Sequence, residues 1–586
     1  MNLAILMLVI LSLLYHFAIK PLVYWKNRGV SQTPLSETFL FNIVGLFQRN
    51  ISGFIQSLYN WFPGSSFQKI RMFGIIIGLT VVLLFIYYFT IKPLYFWENQ
   101  GVKQKPIVKE FMFNLFGMLQ RENAAIVVQK IYNEFSNFRY CGINQLYTPI
   151  LFVRDAELIK QMMVKDFEYF TDHREFVSNN NDPLWSKNLF ALKGPEWRLM
   201  RPILSPSFTS SKMRAMFFLM RDAAENFANH FLKQDEDVVV IEMKDTFTHF
   251  CNDVIATTAF GVEVDSLANP DTEFYRMGKK ATDLSRPGKQ LRFIINMVAP
   301  WISKVLGVKF FENDVRAFFE NLIIGAMKER EEKGIVRPDM IHLLMEARKH
   351  CKEDKNNIAE EERKQSIEIS NENIVAQALL FFFAGFDSVS TMMCFMAHEL
   401  AVNTDIQEKL KLEVHETSET LNGKLTYDAL VNMKYMDMVI SETLRKWPTQ
   451  IGIERLCTKP YTIEPILPEE KPIHLKKGSI IFIPTYGIHH DPELFPNPES
   501  FDPERFSEAN KASFNSYAYQ PFGMGPRNCI GSRYAAMEIK IAFFYILLNF
   551  AIVPVEKTNI PLVLAKSMFH LGAEGGFWLG LKRLKK

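Results

Sequence analysis

The chain has 586 residues, 48% hydrophobic and 22% charged, and its 67 Lys and Arg against 64 Asp and Glu leave a net charge of +3. Such a chain can bury a large core, and so small a charge gives no footing for nucleic acid or another polyanion. The six cysteines, Cys141, Cys251, Cys351, Cys394, Cys457 and Cys529, lack paired or CxxC spacing, which excludes a disulfide framework and points to reduced thiols facing the cytosol. The 51 Phe and 26 Met suit an adaptable apolar interior, although buried aromatics mostly serve packing.

Two apolar runs open the chain, Met1 to Ile19 and Met72 to Ile91. At about 1.5 Å per residue each is long enough to cross a hydrocarbon core of about 30 Å. A shift of 72 residues superposes Ile19 to Arg49 on Ile91 to Arg121 with 16 of 31 positions identical and no gap, the mark of a duplication. Basic residues follow each run, Lys20, Lys26 and Arg28 in the first and Lys92, Lys103 and Lys105 in the second. Each copy therefore prefers its C-terminal side in the cytosol, and two consecutive spans cannot both have it. We read residues 1–72 as a duplicated anchor region that joins a neighbouring first exon to this reading frame, the alternative being a real second anchor. Residues 73–92 are the expected transmembrane signal anchor, uncleaved because no small-residue cleavage site precedes a polar start. Residues 93–139 are a linker and the start of the main domain, which occupies 140–586.

From about Tyr140 onward, long helical periodicity alternates with short strand-like runs such as Tyr461–Ile463 and Ile480–Ile483. The fold expected is mainly α with small β-sheets. Trp197 and Arg201 stand one helical turn apart and point two donors the same way, a spacing that is also ordinary packing. Leu291 to Phe311 mixes aromatic and aliphatic residues with Lys304 and Lys309, which suits either a membrane-interface segment or a core helix. Lys349 to Ser366 is charged and poor in apolar residues, a solvated linker or helix end.

Asn371 to Leu400 reads as one long helix whose apolar face is broken by Ala384-Gly385-Phe386-Asp387-Ser388. Buried polar groups there need a reason, whether chemistry or a locally satisfied Asp and Ser. Glu442 and Arg445 pair at i and i+3, and Phe501-Asp502-Pro503-Glu504-Arg505-Phe506 follows. Near the C-terminus stands Pro521-Phe522-Gly523-Met524-Gly525-Pro526-Arg527-Asn528-Cys529-Ile530-Gly531. The apolar run from Ile530 to Phe550 places Cys529 at a helix N-terminus, where the macrodipole and backbone N–H groups favour the thiolate that ligates iron. Gly523, Gly525 and Gly531 leave room for backbone to lie flat against a large planar cofactor, and Arg527 is placed to pair with a propionate.

The spacing Phe522-x-x-Gly525-x-Arg527-x-Cys529-x-Gly531 resembles the haem-binding signature of the cytochrome P450 family. The likeness covers about residues 73 to 586 and is nearest to insect microsomal enzymes that oxidise foreign lipophilic compounds. It implies a haem-thiolate fold behind an N-terminal membrane anchor, holding heme b with Cys529 as the iron ligand. Phe522, Gly525, Arg527 and Gly531 would complete the haem site, with Trp197, Arg201 and Arg455 on the propionates and His173 or Arg174 as a further contact. Ala384 and Gly385 would line an oxygen groove, and Asp387 with Ser388 would relay protons. The family usually has Thr where Ser388 stands, and serine lacks the methyl that limits its rotamers. Glu442, Arg445 and Arg505 would form a buried structural triad.

The resemblance further implies a monooxygenase that inserts one atom of O2 into lipophilic small molecules, such as plant toxins or insecticides. No Gly-rich nucleotide loop is evident, so electrons would come from an NADPH-cytochrome P450 reductase, with cytochrome b5 as an optional second donor. Arg198, Lys212, Arg214, Arg533 and Lys540 are candidates for a basic face that receives an acidic flavoprotein, although scattered basic residues are usually just solvated. The expected location is the endoplasmic reticulum membrane with the catalytic domain in the cytosol. The alternatives are a hydroxylase of an endogenous lipid or hormone, a haem-thiolate isomerase or dehydratase, and a non-catalytic membrane haem binder.

Overall fold

The computed structural model describes residues 80, 82–84, 87–88, 92–106 and 122–585, apart from 146–147, 176, 178–181, 284–286, 299–302, 305–306, 358–368, 469, 511–514 and 568–570. The chain divides into two compact units, Met1–Phe96 with Lys105–Met112, and Trp97–Gln104 with Phe113–Lys586. In the first unit residues 82–84 are helical, and Val82, Leu83 and Leu84 are exposed. The duplicated segment 1–72 lies outside the described residues, as does most of the expected anchor 73–92.

The second unit is mainly helical. Its longer helices are α1 (Ala124–Glu134), α2 (Gly194–Leu204), α3 (Ser210–Leu232), α4 (Met243–Ile255), α5 (Glu273–Thr282) and α6 (Pro287–Val298). They continue with α7 (Asn313–Lys333), α8 (Met340–Asn357), α9 (Asn371–Val402), α10 (Thr404–Thr420), α11 (Lys434–Lys446) and α12 (Ser532–Asn549). The strands are β1 (Tyr140–Gln145), β2 (Thr148–Val153), β3 (Val238–Glu242), β4 (Ile453–Leu456), β5 (Tyr461–Ile463), β6 (Ile473–Leu475), β7 (Ile480–Ile483), β8 (Phe550–Pro554) and β9 (Trp578–Arg583). They form a four-stranded sheet in the order β1-β2-β7-β4, a three-stranded sheet β3-β9-β8 and the hairpin pair β5-β6. In the first sheet β2 and β7 run parallel and the other pairs antiparallel, which seats Arg455 of β4 opposite Ile481.

Helix α9 is the centre of the unit. Ser370 opens it with a capping box in which its hydroxyl accepts from Asn373 N–H and the Asn373 side chain answers to the Ser370 N–H. Apolar residues then surround the helix on nearly every side, which is the pattern of a core element. By length and hydropathy α9 is long and apolar enough to cross a membrane, yet 61% of its most apolar window is buried inside the protein. Phe382 of α9 packs with Phe260, Phe274 and Phe319, all four buried, with ring centroids 5.1–6.1 Å apart. Edge and tilted ring pairs of this kind each add about 0.5–1.5 kcal/mol beyond area burial.

Two open sequence readings narrow. The segment from Lys349 to Asn357 is a helix end, one of its two expected readings, because buried Met340, Ile341, Leu343, Leu344 and Met345 anchor α8 and its polar C-terminal turns continue the helix, while 358–366 lies outside the described residues. Leu291 to Phe311 is not interfacial throughout. Leu291 is exposed, whereas the Phe310 ring lies tilted against Trp185 with centroids 4.2 Å apart and Phe311 is buried, the Phe310 and Phe311 N–H groups both donating to the Asp182 carboxylate.

Candidate haem site

The loop before α12 is built for a reactive thiol. The helix begins at Ser532, so Cys529 stands three residues ahead of it rather than at its first turn. Cys529 N–H donates to Phe522 O at 2.8 Å, which closes the loop, and the Gly531 N–H points back at the sulfur. The thiol is accessible to solvent although protein surrounds most of it. Burial pushes its pKa up, against the Gly531 amide and the Arg201 guanidinium, which favour the thiolate.

Gly525 has φ +70°, and a Cβ there would lie 2.0 Å from Met163 O. The missing side chain therefore makes room for a neighbouring carbonyl and not for a flat cofactor, which corrects the expectation for this glycine. Gly523, at φ +74°, serves the turn, and the nearest atom to a Cβ on Gly531 is Phe208 Cε1 at 3.9 Å.

Three guanidinium groups converge beside this loop. Arg201, on α2, donates to Asn528 O at 2.9 Å and Asn528 Oδ1 at 3.0 Å, tying the helix to the residue before Cys529. Arg455 is 2% exposed, bonds Glu454 O and Arg527 O, and leaves its buried Nε without a hydrogen-bond partner. Burial lowers its pKa to about 10. Arg527 donates to Thr171 O, Leu189 O, Phe190 O and Leu192 O, and its guanidinium lies 4.3 Å from the centroid of the buried Trp197 ring. Four of its five N–H groups are thus shared with carbonyls, so Arg527 clamps the loop to the segment ahead of α2 and keeps one Nη2–H beyond those bonds. Burial, then the neighbouring Arg455, lowers its pKa to about 9, with Asp172 at 3.8 Å as a carboxylate neighbour.

His173 sits in the same field. Burial first, then Arg455 and Arg527, hold its pKa well below the usual value. A neutral ring is consistent with its Nδ1 lying 3.3 Å from Arg455 Nη1, and the ring stacks on Phe190 at 4.3 Å. Arg174 is engaged elsewhere, with Glu454 and Gln145. So much buried positive charge with so little counter-charge suits a dianionic ligand such as a pair of propionates.

On the opposite side α9 opens onto the cleft. Phe381, Ala384 and Ser388 share one face at i, i+3 and i+7, and Ala384 and Ser388 are exposed in the middle of a core helix. Phe208 joins the two walls, contacting Phe381 at 5.5 Å and lying against Gly531. Gly385 does not widen the groove. A Cβ there would meet Ile255 Cδ1 at 3.0 Å, so this glycine lets α9 approach α4, and Ala384 is the small residue facing the space. Ser388 donates its hydroxyl proton to Ala384 O at 2.5 Å, while Asp387 Oδ1 accepts from Lys244 Nζ at 2.8 Å. The two side chains are held apart, each by its own partner.

Glu442, Arg445 and Arg505 meet in the core. Glu442 accepts from Arg445 Nε at 2.7 Å and Nη2 at 2.8 Å and lies 3.4 Å from Arg505 Nε; Glu442 and Arg445 are fully buried. Burial raises the Glu442 pKa, and the Arg445 pairing opposes that shift. Of the five basic residues considered for a partner surface, Lys540 is buried against Leu430 O, Met433 O and Asp437, so it is not on a surface. Lys212 and Arg214 pair with Glu346 and Asp428, whereas Arg198 and Arg533 are exposed.

Sequence reasoning missed Asp172, Lys244 and His489. His489 is buried, accepts from Gln520 N–H through Nε2 and contacts Arg445 O through Nδ1, joining the triad to the cysteine loop. No local spacing signals any of the three; each acts across a long sequence distance.

A family profile described as Cytochrome P450 matches residues 104–579. Cytochrome P450 9e2 of Blattella germanica is 43% identical over 79% of this chain and 89% of its own length. Probable cytochrome P450 9f2 of Drosophila melanogaster is 42% identical over 83% and 94%. Probable cytochrome P450 6a13 of the same fly is 38% identical over 84% and 95%.

Proposed function

The chain belongs to the cytochrome P450 family, a haem-binding monooxygenase family, and from that premise we propose that Cys529 is the haem ligand of an enzyme oxidising foreign lipophilic compounds at the endoplasmic reticulum membrane. The observation that carries the ligand assignment is the exposed Cys529 thiol faced by the Gly531 N–H and the Arg201 guanidinium. Bound haem would supply one-electron and O2 chemistry, and the Cys529 thiolate would hold its iron.

The remaining roles fall to this chain's own residues. Cys529 would hold the iron as a thiolate, the form that the Gly531 N–H and the Arg201 guanidinium favour against its burial. Arg455 and Arg201, with Trp197 beside them, hold the propionate edge, and Arg527 fixes the loop. Ala384 keeps a small space open on α9, and Phe381 on the same face, packed with Phe208, offers apolar surface to a substrate. Asp387 and Ser388 move protons once Ser388 rotates away from Ala384 O. Electrons come from an NADPH-dependent reductase, for which exposed Arg198 and Arg533 offer positive charge. Residues 73–92 anchor the protein.

The test is oxidation of lipophilic probes under 18O2 with reductase and NADPH. One labelled oxygen atom per product supports the reading, and product that forms without label or without NADPH overturns it.

A further inference from the structure

Lys244 stands in the first turn of α4, and its ammonium group meets four oxygens of α9 at once. It donates to Asp387 Oδ1 at 2.8 Å, Asp387 O at 3.1 Å, Ser390 Oγ at 2.7 Å and Thr391 Oγ1 at 2.8 Å. These acceptors belong to residues at i, i+3 and i+4 of α9, so one cation grips a single face of the helix at the level of Ser388. The Lys244 side chain is 32% exposed and that of Asp387 is 51% exposed, so the pair stands at a boundary where water reaches the middle of a core helix.

This placement differs from that of an ordinary surface pair. An exposed ion pair is worth at most about 1 kcal/mol and seldom fixes a rotamer. Here two buried or nearly buried hydroxyls, Ser390 and Thr391, share the same ammonium group, and Ser390 also donates to Phe386 O. The carboxylate is therefore oriented from outside its own helix, while the Ser388 hydroxyl turns back to Ala384 O. A half-exposed aspartate without that hold would sample several rotamers, and proton transfer is steeply sensitive to position.

We infer that Lys244 is a positioning residue for proton delivery, holding Asp387 where it takes a proton from water and passes it towards Ser388. The inference rests on the proposed role of Asp387. With NADPH as the reductant, productive turnover is R–H + O2 + NADPH + H+ giving R–OH + H2O + NADP+. When protons arrive in the wrong place, O2 + NADPH + H+ gives H2O2 + NADP+ instead. Loss of Lys244 shifts flux from the first equation to the second.

The experiment compares full-length holoenzyme carrying Lys244→Met, Lys244→Arg or Asp387→Asn, each with reductase. Product per NADPH, hydrogen peroxide released, and turnover driven by an organic hydroperoxide, which needs neither reductase nor proton delivery, are measured. In Lys244→Met product per NADPH is expected to fall about tenfold with peroxide rising, while hydroperoxide-driven turnover stays within about twofold of the parent. Lys244→Arg should restore most of the coupling. If Lys244→Met loses both activities alike, its role is structural and the inference is overturned. If Asp387→Asn uncouples the enzyme and Lys244→Met does not, the inference fails while the Asp387 reading stands; if Asp387→Asn stays coupled, that reading fails and the inference with it.

Discussion

Replacing Glu442 by glutamine tests how the cysteine side of the site is held. The carboxylate is fully buried, takes two hydrogen bonds from Arg445 and one from Asp502 N–H at 2.9 Å, and faces Arg505 at 3.4 Å. Glu442→Gln keeps the shape but turns one acceptor into a donor and leaves a buried guanidinium without its counter-charge. Breaking one partner of a buried pair costs about 3–5 kcal/mol. The low end applies, because Arg445 keeps the carbonyls of His489, Pro498 and Ser500. A loss of about 3 kcal/mol is a factor of about 150 in the folded-to-unfolded ratio and a large share of the 5–15 kcal/mol typical of a domain. Urea unfolding of the holoprotein, followed by haem absorbance and by far-ultraviolet circular dichroism, should show a lower midpoint at an unchanged slope. A midpoint equivalent to less than about 0.5 kcal/mol of change would refute the reasoning, because surface substitutions already span that range.

Gly525→Ala should be costly at a position with no partner to lose. The left-handed backbone penalises Ala by about 1–2 kcal/mol, and the overlap with Met163 O adds about 1–3 kcal/mol, so haem content on purification should drop sharply while far-ultraviolet circular dichroism stays near the parent's. Arg455→Met should loosen haem retention, read as faster haem transfer to apomyoglobin, and an unchanged rate would remove Arg455 from the propionate edge. Burial holds the His489 pKa at about 3 in the fold, against an ordinary value of about 6.5. The neutral ring is what the fold accepts, so its contribution is complete above about pH 6.5 and declines as pH falls towards 3, by about 1 kcal/mol per pH unit. His489→Gln should flatten that part of the stability profile, and an equally steep profile in the variant would assign the acid loss to other groups.

How much of this was legible in the chain follows from the range of each interaction. The strands Tyr461–Ile463 and Ile480–Ile483 and the helix from Asn371 were readable because apolar periodicity is a local signal. The family resemblance implies Glu442, Arg445 and Arg505 as a group, and the structure brings them together. Glycines were read less well. Gly525 is expected to face the cofactor and Gly385 to line an oxygen groove, yet one makes room for Met163 O and the other for Ile255, neighbours 362 and 130 positions away. Lys540 looked basic and exposed, but only the packing of α12 shows its ammonium group buried on two carbonyls. Lys244 carried no signal at all, since its meaning arises where the first turn of α4 meets the middle of α9.

The central claim is that Cys529 is the axial thiolate of a haem site. The reduced-carbon monoxide difference spectrum of the holoprotein and of Cys529→Ala tests it most directly. The account requires the haem-thiolate band in the parent and its loss in the variant, and a full band surviving in Cys529→Ala would contradict it.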